Sequence, residues 1–196
     1  MKTSYIVIGV ILFILVIGGC GSCNSYNSMV TKDETVQKQW GVVQSDYQRR
    51  ADLVPNLVAT VKGVANFEKS TLVDVTNARA RATSIQVDPT KLTPETIQKF
   101  QAAQGQLTSA LSRLLVASER YPELKATENF STLQAQLEGT ENRIAVARND
   151  FNAAVQDYNT KIRVFPSNII ANMFGFKEKG FFQAEAASAN APKVQF

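Results

Sequence analysis

Near the C-terminal end of the chain, apolar residues recur at intervals of three, four and seven: Phe130, Leu133, Leu137, Ile144, Ala147, Phe151, Val155, Tyr158, Ile162 and Phe165. At 3.6 residues per turn these positions fall on one stripe of a helix. The stripe runs for about 36 residues, roughly 54 Å at 1.5 Å per residue. A helix of that length with one apolar face needs a partner of similar length along most of it. The simplest cover is other helices laid beside it.

The rest of the chain supplies such partners. From Tyr26, the residues Met29, Val36, Trp40, Val43 and Tyr47 share one face. Pro55 lacks a backbone N–H, so a kink or break is expected near residues 52–54, before a second helix carrying Leu57, Val58, Val61, Val64, Leu72 and Val75. The segment Gly63-Val64-Ala65-Asn66-Phe67-Glu68-Lys69-Ser70 has the outline of a phosphate-binding loop. Glu68 stands where a glycine belongs and would repel phosphate, so the segment reads as continuing helix. Residues 84–96, with two prolines, read as a loop; Thr93 caps the next helix and Pro94 takes its first position. That third helix carries Ile97, Phe100, Leu107, Leu111, Leu114 and Leu115, and a link with room for one helical turn joins it to the last. No segment alternates with period two. The expected fold is all-α, an antiparallel four-helix bundle with an N-terminal membrane-anchoring helix. Its expected divisions are residues 1–23 as anchor or lipoprotein signal, 24–165 as bundle, and 166–196 as an aromatic tail packed on the bundle.

The anchor expectation rests on residues 5–19, which are apolar without a charge and follow Lys2. As a helix they reach about 22 Å, and carried through Cys23 about 28 Å, against a hydrocarbon core of about 30 Å. A lipid anchor is the alternative. Ile17-Gly18-Gly19-Cys20 puts small residues directly before a cysteine, making Cys20 a candidate lipidation site. Either outcome tethers the domain to a bacterial membrane, with an extracytoplasmic placement favoured over a cytoplasmic one.

Charge and composition narrow the function. The net charge of +4 is spread along the chain without blocks, which argues against a nucleic-acid partner. There is no histidine, so the commonest metal ligand and neutral-pH base are missing, and the Glu-x-x-His motif of di-metal bundles cannot occur. No catalytic, metal or cofactor site is expected. Two mixed-charge groups stand out: Arg49, Arg50, Asp52 and Asn56 around Pro55, and Glu138, Glu141, Asn142, Arg143 and Arg148 on the last helix. They are read as interhelix pairs that set register and satisfy backbone freed by Pro55, or as a face for a partner. Phe174, Phe176, Phe181, Phe182 and Phe196 in the tail either cover the bundle's end or form an exposed patch. Trp40 and Tyr47 read as core.

The string Tyr47-Gln48-Arg49-Arg50-Ala51-Asp52-Leu53-Val54-Pro55-Asn56-Leu57-Val58, with Thr60-Val61-Lys62-Gly63 after it, resembles a signature of the LemA family. So do Glu141-Asn142-Arg143-Ile144-Ala145-Val146-Ala147-Arg148 and Phe165-Pro166 with Phe174-Gly175-Phe176. Together with the N-terminal apolar run, the resemblance spans nearly the whole chain. It implies a bacterial single-span membrane protein with an antiparallel four-helix bundle and no established molecular activity. By analogy it also implies a partner such as a membrane peptidase or TPM-domain protein, since members are often encoded near them. Cys20 and Cys23 depart from the family pattern and bear on the type of anchor. The function expected is a membrane-tethered interaction module. A self-associating envelope spacer is the alternative, and an enzyme with an unrecognised site is the third reading.

Overall fold

The computed structural model describes residues 2–63 and 67–183, and for residues 2–22 the backbone only. Among the described residues every regular element is helical, which makes the fold all-α: α1 (Lys2–Lys62), α2 (Lys69–Ser84), α3 (Pro94–Ser118), α4 (Pro122–Lys125), α5 (Glu128–Arg163) and α6 (Ser167–Phe174). Among the described residues no helix is long and apolar enough to cross a membrane. The side chains of the apolar run 5–19 and of Cys20 lie outside the described residues, as does the tail 184–196 with Phe196.

Two expectations about the first half are corrected. The helix does not break at Pro55; α1 runs through it to Lys62. A proline removes the hydrogen bond to the carbonyl four residues earlier, here that of Ala51. Arg79 of α2 supplies the missing donor, its Nε reaching the Ala51 carbonyl at 2.7 Å. The true break falls in the segment expected to continue as helix. Gly63 closes a tighter turn onto the Thr60 carbonyl at 3.3 Å, and helix resumes at Lys69. Glycine favours helix least after proline. Reversal there also lets Leu72 and Val75 pack with Val54, Leu57 and Val61, burial that a straight continuation would forfeit.

The later elements follow the sequence more closely. Thr93 Oγ1 accepts the Thr96 amide at 3.3 Å at the start of α3, with Pro94 in the first turn. The link to the last helix contains the single turn α4. The α5 stripe is buried at Phe130, Leu137, Ile144, Ala147, Phe151, Val155, Tyr158 and Ile162. It stops short of Phe165, which lies beyond the Arg163 end of α5 and is exposed.

Contacts between side chains give the helix directions. Lys32 meets Asp157, Asp46 meets Arg143 and Arg50 meets Glu141, so α1 and α5 run antiparallel. Asp74 with Arg113, and the Ala82 carbonyl with Gln104, set α2 against α3 in the same sense. The core divides along the bundle axis. One cluster gathers Met29, Val36, Trp40, Phe100, Phe151 and Phe182; the other gathers Val54, Leu57, Leu107, Leu114, Phe130 and Leu137.

Candidate functional site

Between the two apolar clusters lies a polar layer centred on Arg50, which is 1% exposed. The α1 stripe carries an arginine at this point, between Tyr47 and Val54, and a buried guanidinium is costly without partners. Three other helices contribute to its surroundings. Nη1 donates to Thr108 Oγ1 of α3 and to Glu141 Oε1 of α5, both at 2.8 Å. Nη2 donates to Gln104 Oε1 at 2.6 Å and to the Gln104 carbonyl at 3.3 Å. Gln104 Nε2 then donates to the Ala82 carbonyl of α2 at 3.3 Å. The guanidinium also lies 4.9 Å from the Tyr47 ring centroid, within cation–π range. The network ties α1 directly to α3 and α5 and, through Gln104, to α2.

The remaining residues singled out from sequence are dispersed. Asp52 accepts Gln48 Nε2 at 2.8 Å within α1, and the Asn56 carbonyl accepts Thr60 Oγ1 at 2.9 Å, also within α1. Arg49 and Glu138 are exposed. Arg143 pairs with Asp46 at 3.7 Å and donates to Thr140 Oγ1 at 2.9 Å. The two mixed-charge groups therefore meet through Arg50 and Glu141, and the backbone freed by Pro55 is served by Arg79, which neither group contains.

Arg148 belongs to a second arrangement, formed with the tail. After α6 the chain turns at Gly175, whose φ of +76° is the left-handed conformation glycine adopts without strain. Residues 176–183 then run back along the bundle without regular structure of their own. Side-chain amides read the backbone of this strap in pairs. Asn159 donates to the Lys179 carbonyl and accepts the Lys179 amide, both at 2.9 Å. Asn152 does the same for Phe182 at 3.0 and 2.9 Å, and Gln101 for Gln183 at 2.8 and 3.0 Å. Arg148 Nη2 adds a bond to the Gln183 carbonyl at 2.9 Å. The strap passes so close to α3 that a Cβ on Gly180 would lie 2.6 Å from Pro94 Cα, which requires glycine there.

The strap also carries core. Phe182 sits within 5.4 to 6.4 Å of the Phe151, Trp40 and Phe100 rings. Of the tail aromatics, Phe182 is buried and Phe176 partly so, whereas Phe174 and Phe181 are exposed. Lys179 is buried against Asp33 at 2.6 Å, with its ammonium 5.3 Å from the Tyr158 ring. Burial pushes the Tyr158 phenol up to about 12, with the negative charge of Asp33 adding to the rise. The phenol therefore stays protonated and donates to the Lys177 carbonyl at 3.1 Å. The tail phenylalanines pointed to packing on the bundle, but nothing in the sequence named Asn152, Asn159 and Gln101 as the side chains that hold the strap.

An open groove of about 720 Å³ between α2 and α3 is lined by Asp74, Arg81, Gln101, Ser109 and Arg113, with Asp74 and Arg113 exposed and 3.9 Å apart. Among the described residues no three acidic or cysteine side chains lie close enough to hold a metal ion.

The LemA family profile matches residues 39–196. The chain belongs to the LemA family. The LemA match covers the Arg50, Gln104 and Glu141 positions and the strap, while the apolar run 5–19 precedes it. Protein LemA of Metamycoplasma hominis is 25% identical over 158 residues, 81% of this chain and 68% of that protein. Magnetosome protein MamQ 2 of Paramagnetospirillum magneticum is 28% identical over 179 residues, and magnetosome protein MamQ of Magnetospirillum gryphiswaldense 27% identical over 179. Each of these two alignments covers 83% of this chain, which spans 66% of the length of either MamQ.

Proposed function

We propose that this LemA-family chain is a membrane-tethered interaction module of the bacterial envelope: a rigid antiparallel four-helix bundle held at the membrane by its N-terminal helix. The observation that carries the reading is the continuity of α1. One unbroken helix leads from Lys2, through the uncharged residues 5–19, into the centre of the core at Trp40 and Arg50. An anchor built on this helix would transmit its orientation directly to the domain, without a flexible linker between them. The Arg50 layer supports the same reading, since it ties four helices together and makes the outer surface a constant shape.

The face offered to a partner runs along α1 and α5, where Val42 and Val146 are exposed beside Asp46, Arg143 and Asp150. Apolar contact flanked by arginine and carboxylates suits another folded envelope protein better than a small molecule. A membrane peptidase or a TPM-domain protein is the class the family resemblance brings forward. Photo-crosslinking from Val146 and from Arg49 in intact cells tests this. Capture of one other envelope protein is the expected outcome. Capture of lipid and copies of the same chain alone would overturn the interaction role, and copies alone would favour a self-associating spacer.

A further inference from the structure

Helix α6 is amphipathic, and only one of its faces is covered. Ser167, Ile170 and Ala171 are buried. On the opposite side Ile169 is 59% exposed and Met173 69%, and Phe165 just before the helix is 79% exposed. Ile169 and Met173 lie four residues apart on α6 and so share one outward side, with Phe165 exposed just before the helix. Val164 and Phe174, on either side of this stretch in the chain, are also more than two-fifths exposed. A contiguous apolar patch of this kind on a folded domain marks a contact surface.

The position of α6 identifies what it contacts. Ser167 and Phe174 stand at the two ends of α6, yet they meet adjacent residues of α1. Ser167 Oγ is 2.8 Å from Ser25 Oγ, and the Phe174 ring lies 4.8 Å from that of Tyr26. The helix therefore crosses α1 instead of running along it. The covered face joins the cluster of Met29 and Ile162, on the side of the core nearest the N-terminus, so the ridge faces the direction from which α1 arrives. Gly19, the end of the apolar run, is seven residues before Tyr26 on the same unbroken helix, about 10 Å along its axis. Headgroup layers are about 5–8 Å thick on each side of the hydrocarbon, and interfacial helices sink about 5–10 Å into that boundary. Lys177, three residues after α6, is exposed, a cation suited to anionic headgroups, while Arg163, before the helix, pairs with Glu178 at 3.5 Å.

We infer that α6 is an interfacial helix whose ridge of Phe165, Ile169 and Met173 seats the bundle in the headgroup layer of the bilayer that receives the N-terminal run. The inference rests on the tethered reading above. Tethering keeps the ridge beside lipid at all times, so even a short apolar face is occupied. The bundle then stands on the membrane on two supports, α1 and α6, with the α1–α5 face directed sideways.

The test uses the full chain reconstituted in vesicles of phosphatidylcholine and phosphatidylglycerol, with and without lipid brominated high on the acyl chain. Wild-type Trp40 is fully buried and supplies a baseline. Ile169→Trp is expected to be quenched by brominated lipid about twofold over that baseline, as an interfacial side chain would be. Val146→Trp, on the α1–α5 face, is expected to stay at baseline. Equal, baseline quenching at both positions while the chain floats with the vesicles would overturn the interfacial helix and leave the tether standing. Strong quenching at both would overturn it as well, because the domain would then lie on its side. A chain that fails to float would overturn the tether itself. Loss of quenching together with concentration-dependent dimerisation would assign the ridge to a second copy and refute the lipid assignment.

Discussion

Replacing Arg50 by methionine keeps most of the side chain's volume while removing its charge and all its donors. In the native layer Arg50 bonds Gln104, Thr108 and Glu141, and it is 1% exposed. The acceptors lose unequally. Glu141 has a side chain 42% exposed and returns to water, so its share of the loss is that of a half-screened pair, up to about 1 kcal/mol. Gln104 is 6% exposed, and its Oε1 would be left buried without a donor at a cost of about 1–3 kcal/mol. The sum for Arg50→Met is about 1–4 kcal/mol, a sizeable part of the ~5–15 kcal/mol stability of an ordinary domain. The double variant Arg50→Met/Gln104→Leu removes donor and acceptor together, and should recover about 1–2 kcal/mol of that loss. Glu141→Gln alone should cost less than about 1 kcal/mol. Urea titration of the full chain in detergent, followed by helical circular dichroism, measures all of these. Strictly additive effects of the Arg50 and Gln104 substitutions would refute the reasoning, because the single-variant cost was assigned to an orphaned partner.

Other consequences of the structure are open to measurement. Arg79→Met should cost about 1–2 kcal/mol by leaving the Ala51 carbonyl without its donor. The cost should shrink markedly in a Pro55→Ala background, where the restored N–H serves that carbonyl; an undiminished cost in the double-variant cycle would show that Arg79 acts otherwise. Asn159→Leu should free the strap locally, so hydrogen exchange at the Lys179 amide should rise far more than exchange at the α3–α5 core. Phe182→Ala, by contrast, should lower global stability by about 3–5 kcal/mol, measured by urea titration. The Tyr158 phenol is raised from 10 to about 12 in the fold. Its neutral form is therefore favoured by folding, and the associated stability is complete below about pH 10 and lost as pH rises through about 12, some 2–3 kcal/mol in all. Tyr158→Phe should flatten the stability-against-pH curve in that window relative to wild type, and parallel curves would count against the shift.

The helices and their buried faces were legible because burial imposes a 3.6-residue period on any sequence that must cover one side of a helix. Trp40, Phe100, Phe151 and Val155 announce themselves as core in this way. Thr93 and Pro94 announce the start of α3, since the groups that cap a helix are local to it. Local chemistry misled at Pro55, where the donor that lets α1 continue comes from Arg79, on another helix. It misled again at residues 63–68, where reversal wins because Leu72 and Val75 find their cover only on folding back. Arg50 and Glu141 could be named as charged residues in unusual places, but not joined. Gln104 and Thr108 carried no signal, because an uncharged polar residue on a helix reads as surface until its neighbours are known.

What the chain's own order of residues determined was the helical class and the apolar stripe of each long helix, both properties of short-range spacing, and, through the strings around Pro55 and Glu141, the resemblance to its family. What only the tertiary structure decided was the register of those helices, the strap along residues 176–183, and the place of α6 across the end of the bundle. Each of these depends on hydrogen bonds and contacts between residues many tens of positions apart. Arg50 with Glu141 and Gln101 with Gln183 are such pairs. The spacing of a linear sequence carries no trace of which distant groups will be brought within 3 Å of one another.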